Sequence, residues 1–234
     1  MWVSPAGSLM FSTVIRHPTS LASRAPVIFL QYLAALAIVQ GIKTYGPGFG
    51  RLPIKLKWPN DICKSASSPM WRLLSLQDAI DPVSKKPVKI GGILVNSHYN
   101  STEFLAVVGI GLNTTNTAPT ISLNALNPPV PFTLEKLLAR VLVTFSELYK
   151  TFCRTGFNKT LEATYYEHWL HSDQIVTLET EGGTRARIKG ITSDWGLLVA
   201  EELGWEDRPT GRKFQLQSDS NSFDFMKGLV RRKL

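Results

Sequence analysis

Apolar residues recur at two different periods along this chain, and the places where the period changes divide it. Leu9 to Ile15 (Leu-Met-Phe-Ser-Thr-Val-Ile) reads as a strand ended by His17-Pro18. Ala25 to Tyr45 follows as a helix that is apolar on most faces and stopped by Gly46-Pro47-Gly48. Ile54 to Trp58 alternates between Pro53 and Pro59, which predicts a short strand whose exit turn carries Asn60 and Asp61. Val88 to Asn96 and Phe104 to Gly109 are two more strands, joined by a hairpin around Asn100-Ser101. From Thr133, an N-cap residue type, apolar side chains recur at Leu134, Leu137, Leu138, Val141, Leu142, Phe145, Leu148, Tyr149 and Phe152, the spacing of a helix. A second helix is predicted from Asn158 to Trp169. After Asp173 the texture changes to short alternating segments separated by Glu181-Gly182-Gly183 and Asp194-Trp195-Gly196, the pattern of a small β-barrel, which places a domain boundary near His171 to Asp173.

Composition narrows the class of molecule. With 234 residues, 44% hydrophobic and 19% charged, the chain suits one large globular domain and a small one. Its longest apolar stretch, Pro26 to Ile42, is interrupted by Gln31, Tyr32 and Gln40 and falls short of the roughly 20 apolar residues that cross a bilayer, so it is expected to be a buried helix. Met1 to Thr13 carry no basic n-region and no cleavage-like site, and nothing there indicates secretion. Cys63 and Cys153 are far apart and lack metal-ligand spacing, which suits a reducing, cytoplasmic setting. A net charge of +8 and a pI of about 9.6 point towards anionic partners, whether nucleotides, nucleic acid or an acidic protein. The cluster Arg231-Arg232-Lys233 reads as a solvated tail rather than a nucleic-acid arm.

Candidate chemistry concentrates in three stretches. Lys57-Trp58-Pro59-Asn60-Asp61 and Lys89-Ile90-Gly91-Gly92-Ile93-Leu94-Val95 each set a lysine against a β-like run, with an acid, an amide or paired glycines beside it. That is the outline of an anion site: lysine meets phosphate or carboxylate as a point charge, glycine admits close backbone approach, and Asp61 can orient or deprotonate an attacking amine. Gly109-Ile110-Gly111-Leu112-Asn113 adds two glycines and an amide at a strand exit. Each stretch also has a structural reading. Trp58 can be a packed strand-end tryptophan before an Asx turn, Gly91-Gly92 a bulge or close crossing, and the third stretch a turn.

In this order and at these spacings, the three stretches resemble the catalytic domain of the biotin protein ligases, called holocarboxylase synthetases in eukaryotes. The resemblance extends upstream to Trp2-Val3-Ser4-Pro5 and Gly7-Ser8-Leu9, and downstream to Asn221-Ser222-Phe223-Asp224 and Lys227-Gly228-Leu229, which look like the end of fungal members. It implies an α+β fold: a catalytic domain related to class II aminoacyl-tRNA synthetases over residues 1–171, then an SH3-like β-barrel over 172–234. It also implies roles. Lys89 matches the essential lysine that contacts the biotin carboxylate and the α-phosphate, and Asp61 the acid that receives or orients the acceptor amine. Gly92, Leu94, Gly109 and Gly111, with Lys89, match biotin-pocket positions. Lys57 and Asn60 match positions holding nucleotide and site geometry, Asn113 the adenine-contacting amide, and Trp2 the indole packed on adenine. The implied reaction joins biotin to ATP as biotinyl-5′-AMP, with Mg2+ accompanying the triphosphate, and transfers biotin to a lysine of a carboxylase carrier domain. No nucleic acid beyond the nucleotide and no membrane are implied as partners.

Two features depart from the family pattern. Members carry a Gly-Arg-rich loop before the residue matching Trp2, and here Met1 stands in its place, so the expectation is a ligase of impaired adenylation. The run Cys63 to Asp78 follows Asp61-Ile62 where relatives often continue with Tyr-Ala. Cys-Lys-Ser can be encoded with the splice-donor sequence GTAAGT, and Gln-Asp with an acceptor AG. Excision restores Asp-Ile-Tyr before Ala79 in frame, so these residues read as a retained intron, or alternatively as a surface insertion of the kind loops accept cheaply. No dedicated metal cage is visible. His168 and His171, at i and i+3 of helical spacing, are expected on a solvated face, and His17 and His98 suggest nothing sharper. The alternatives to a ligase are a lipoate or octanoate transferase of related fold, a noncatalytic remnant that binds carrier domains, and a basic nucleic-acid-binding module.

Overall fold

The computed structural model describes residues 5–65, 87–116, 121–218, 221–224 and 228–232. In chain order the elements are β1 (Ser8–Pro18), α1 (Leu30–Lys43), β2 (Ile54–Lys57), β3 (Asp61–Lys64), β4 (Val88–Asn100), β5 (Glu103–Asn113), α2 (Leu134–Thr155), α3 (Lys159–His168), β6 (Ile175–Leu178), β7 (Thr184–Ile191), β8 (Leu198–Leu203), β9 (Pro209–Leu216), β10 (Asn221–Asp224) and β11 (Leu229–Arg232).

Strands β1 to β5 form one antiparallel sheet in the order β1-β5-β4-β3-β2. Alternation divides its faces. In β5 the residues Ala106, Val108, Ile110 and Leu112 are buried on the inner face, while Val107 and Gly109 point the other way. Helix α1 covers that inner face, packing on β2, β4 and β5, and α2 packs across α1. The all-round apolar character of α1 follows from this position, since eleven of its residues from Leu30 to Ile42 are buried between sheet and helix. The longer α2 needs only a stripe, which Leu137, Val141, Phe145 and Phe152 supply. Thr133 does occupy its N-cap, but the hydroxyl caps nothing; instead the Thr133 N–H donates to Tyr45 Oη at 3.0 Å. Asn158 caps α3 in the expected way, its Oδ1 accepting from the N–H groups of Thr160 and Leu161. Helices gathered against an antiparallel sheet make this an α+β architecture.

The C-terminal strands form a six-stranded sheet in the order β10-β11-β6-β7-β8-β9, antiparallel except for the β11–β6 pair. Among the described residues it does not close on itself, so the expected barrel is here an open sheet with β10 and β9 at its ends. Short, strongly turned segments carry the barrel-like alternation that the sequence displays, and alternation alone does not specify whether the first and last strands meet.

Candidate active site

Lys57 closes β2 and Asp61 opens β3, and the two are direct partners across the hairpin. Between them Trp58, Pro59 and Asn60 make the turn, with the Trp58–Pro59 peptide cis. Neighbouring elements grip this turn from several sides. Asn60 exchanges two bonds with Ile93 of β4: its Nδ2 donates to the Ile93 carbonyl at 2.8 Å, and the Ile93 N–H donates to the Asn60 carbonyl at 3.0 Å. From α1, Gln31 Nε2 donates to the Pro59 carbonyl at 3.0 Å. Trp58 is fully buried. Its indole N–H donates to Tyr32 Oη at 3.2 Å, and that hydroxyl donates to the Gly196 carbonyl at 2.5 Å. The structural reading of Trp58 therefore holds for its side chain, whose work is to anchor the turn that carries Asn60 and Asp61.

Two lysines converge on the Asp61 carboxylate. Lys89 Nζ lies 2.5 Å from Oδ1 and Lys57 Nζ 3.4 Å from Oδ2. The two lysines and one aspartate leave one net positive charge at the rim of the sheet. Lys89 reaches Asp61 because the β3–β4 register shifts: Ile62 pairs with Gly91, but Cys63 pairs with Lys89, so β4 holds one extra residue. That bulge resets the alternation, sending Ile90 into the core and Lys89 to the side of the carboxylate. Cys63 beside them is buried, and burial, with the Asp61 charge second, pushes its thiol up to about 12, so it is no nucleophile near neutrality.

The outer face of the sheet next to this triad is cleared by glycine. Met10, Gly111, Gly92 and Asp61 form one transverse row across β1, β5, β4 and β3, and Ser12, Gly109 and Leu94 form the next. Met10, Ser12, Gly92, Leu94, Gly109 and Gly111 of these rows, together with Phe11, Ile93 and Ile110, line a groove of about 350 Å³, at the small end of the range for small-molecule sites, with Asp61 next to Gly92 at its edge. A Cβ on Gly109 would meet only the Leu94 carbonyl at 3.5 Å and Ser12 Oγ at 3.6 Å, ordinary contact distances. Gly91 is different. A Cβ there would collide with the Gly111 carbonyl oxygen and the Leu112 side chain, so this glycine exists for close strand approach.

The structure thus brings Lys57, Asn60, Asp61, Lys89, Gly92, Leu94, Gly109 and Gly111 to one edge and face of the sheet. Asn113 ends the same strand as Gly111 but lies beyond the groove lining, its Oδ1 accepting from Ser8 Oγ at 3.3 Å. Trp2 and Lys227 lie outside the described residues, as does most of the Cys63 to Asp78 run; its first two residues, Cys63 and Lys64, are part of β3. Met10 and Ser12 were not singled out from the sequence. The available signal was parity: in β1 they face the Gly109 and Gly111 positions of the partner strand. The histidine expectation is corrected. His171 lies past the end of α3, and both His168 and His171 are buried, because the loop after α3 folds back onto β2. His17 is buried as well, bonded to the Ala25 carbonyl and Tyr149 Oη. Among the described residues, no group of three or more His, Cys, Asp or Glu is placed to hold a metal ion.

Comparison with known proteins is consistent with this geometry. Residues 1–113 match the model of the biotin/lipoate A/B protein ligase family. The whole chain aligns at 40% identity with a biotin–protein ligase of Schizosaccharomyces pombe, over 37% of that protein. Over its whole length the chain is similar to biotin protein ligases. It is also 34% identical to biotin–protein ligase 2 of Arabidopsis thaliana, with all of the chain matched over 65% of that protein. It therefore spans less than two thirds of either of these ligases. In fold, it superposes on the biotin protein ligase of Aquifex aeolicus in complex with biotin and ATP, with a TM-score of 0.59 at 19% identity, over 99% of this chain and 82% of that one.

Proposed function

We propose that this chain carries the chemistry of the biotin protein ligases: a biotin carboxylate oxygen attacks the α-phosphorus of ATP, pyrophosphate leaves, and a lysine amine of a carboxylase carrier domain then attacks the acyl carbon of biotinyl-5′-AMP, releasing AMP. The observation that carries the reading is the Lys57–Asp61–Lys89 triad at the rim of a groove floored by Gly92, Gly109 and Gly111. The groove takes the biotin ring where the missing side chains leave room, with Leu94 and Met10 as its apolar walls. Lys89, at the rim, meets the carboxylate and α-phosphate and offsets charge that builds up between them. Asp61 orients and accepts a proton from the incoming amine once the lysine contacts shift to phosphate. Lys57 and Asn60 hold the nucleotide end of the site, and Asn113 and Trp2 are assigned to adenine. Asp61 is already engaged by two ammonium groups, so Mg2+ would be held by the triphosphate oxygens rather than by a protein cage.

Residues 1–171 are assigned to the catalytic unit and 172–234 to an SH3-like unit, a division supported by the change from helices to a second sheet at Ile175. A cytoplasmic setting is proposed with it; among the described residues no helix is long and apolar enough to cross a membrane. The test is incubation with MgATP, biotin and a biotin carrier domain, following pyrophosphate release and acid-stable biotin on the carrier. Release that depends on biotin and is not supported by octanoate or lipoate bears the reading out. Release supported by octanoate but not biotin, or no release together with no binding of a non-hydrolysable biotinyl-adenylate analogue, overturns it.

A further inference from the structure

Trp58 occupies the centre of the site turn, and its backbone N–H sits just beyond the last ladder pair, Lys57 with Asp61. In a fully buried residue that donor needs an acceptor, and His171 provides it: Nε2 lies 2.9 Å from the Trp58 nitrogen. Accepting an N–H at Nε2 requires the lone pair there, which places the imidazole proton on Nδ1, 3.0 Å from Gln174 Oε1. The segment around His171 is itself tied in both directions. The Leu170 N–H donates to the Leu56 carbonyl of β2 at 2.9 Å, while the Asp173 N–H and the Gln174 carbonyl bond to Ile188 of β7 at 3.2 and 2.9 Å. The indole end of Trp58 has a matching tie, through Tyr32 to Gly196, where φ is +61° and any side chain would strike the Tyr32 ring. Trp58 is thus held at its backbone and at its ring by residues that belong to or touch the C-terminal sheet.

We propose that His171 is a positioning residue for the active site, holding the Trp58-Pro59-Asn60 turn so that Asp61 stays in register with Lys89. The inference rests on the ligase reading above for its catalytic consequence, but not for its structural one. His171 is not part of the groove lining, and its proposed effect passes through its hydrogen bond to the backbone of the turn. Losing that bond leaves a buried donor unsatisfied, and the turn is expected to move until the N–H finds water or another acceptor. A displacement approaching 1 Å at Asp61 is enough to cost about 100-fold in rate.

The experiment compares the wild-type chain with His171→Leu, which removes the acceptor, and His171→Gln, whose amide oxygen can reach the same N–H. Long-range 1H–15N correlation on the wild-type chain at neutral pH is expected to show His171 neutral with its proton on Nδ1. A proton on Nε2, or a cationic ring, overturns the proposal whatever the activity. The amide resonances of Asn60 and Asp61 should shift in His171→Leu and return towards wild type in His171→Gln. In the ligase assay kcat should fall at least ~10-fold in His171→Leu, with KM for biotin changed less, and His171→Gln should recover most of it. If His171→Leu does not fold, the comparison of His171→Gln with wild type and the tautomer measurement decide. Equal loss in both variants, or wild-type Asn60 and Asp61 resonances in a folded His171→Leu, sinks the proposal. If the wild-type chain has no ligase activity at all, the ligase reading fails while the resonance and tautomer results still judge His171.

Discussion

Gly91 and Gly109 stand in neighbouring strands of one sheet, yet their geometry assigns them opposite liabilities, and substituting each by alanine separates stability from binding. At Gly91 the added methyl would collide with the Gly111 carbonyl oxygen, a backbone atom of the β4–β5 ladder one pair in from its end, and with the Leu112 side chain, which is 1% exposed. Neither can move without disturbing strand pairing. Overpacking of this kind costs up to about 3 kcal/mol, and the reduced freedom of the unfolded chain returns up to about 1, leaving a net loss of about 2 kcal/mol for Gly91→Ala. For a chain of this length that corresponds to a Tm about 4–8 °C lower. At Gly109 the methyl would have contacts of 3.5 Å or more, so Gly109→Ala should hold its Tm within about 2 °C. The same methyl projects into the groove, however, and should weaken binding of biotin by about 10-fold or more. Differential scanning fluorimetry and isothermal titration with biotin measure the two quantities. If Gly91→Ala melts with wild type, or if Gly109→Ala melts lower while binding biotin normally, the assignment of the two glycines to close strand approach and to the ligand is wrong.

Further consequences follow from the triad and the clamp around Trp58. Lys89→Ala should lower biotin-dependent pyrophosphate release about 100-fold or more, whereas Asp61→Asn should depress the transfer step more than adenylate formation, as seen by single-turnover assays that begin with preformed biotinyl-adenylate. Trp58→Phe, which removes the indole N–H given to Tyr32 and leaves a gap in the core, should cost about 2 kcal/mol in urea unfolding, and an unchanged midpoint would contradict the anchoring role. Burial holds the His171 imidazole down at about 4, with the Gln174 hydrogen bond opposing and the Lys57 charge assisting that shift. Above about pH 6.5 the folded and unfolded chains are both neutral at this residue. As pH falls from 6.5 towards 4 the unfolded chain takes up a proton that the folded chain refuses, so up to about 3 kcal/mol of stability is lost across that window. Denaturant unfolding at pH 7 and pH 4.5 should show a smaller drop in His171→Gln than in the parent; equal drops would refute the burial of a neutral histidine.

Long, strongly patterned elements were legible residue by residue. The strand expected at Leu9 to Ile15 is the middle of β1, and the hairpin at Asn100-Ser101 falls where alternation breaks. Strands beside it run longer than the pattern suggested, to Asn100 and Asn113, because cross-strand pairing carries polar residues such as Ser97, His98 and Asn113 into the ladder. Strand β3 was not legible. Four residues, Asp61 to Lys64, show no periodicity of their own, and they are strand only because β2 and β4 flank them. The histidines were misread for a related reason. His168 follows Glu167 and His171 precedes Ser172-Asp173, polar residues that suggest a solvated face, and only the return of that segment onto β2 buries both.

Local sequence by itself determined the chemistry on offer: two lysines, one aspartate and one asparagine beside strands, and glycines where a ring can approach backbone. Those are properties of side chains and of their immediate neighbours, so they can be read without a fold. Tertiary structure decided which of them meet. A one-residue bulge turns Lys89 towards Asp61, antiparallel pairing stacks Gly92, Gly109 and Gly111 into one open floor, and a buried histidine more than a hundred residues away closes the turn between Lys57 and Asp61. Register and burial depend on contacts between segments distant along the chain, and such contacts leave no periodic trace in either segment alone.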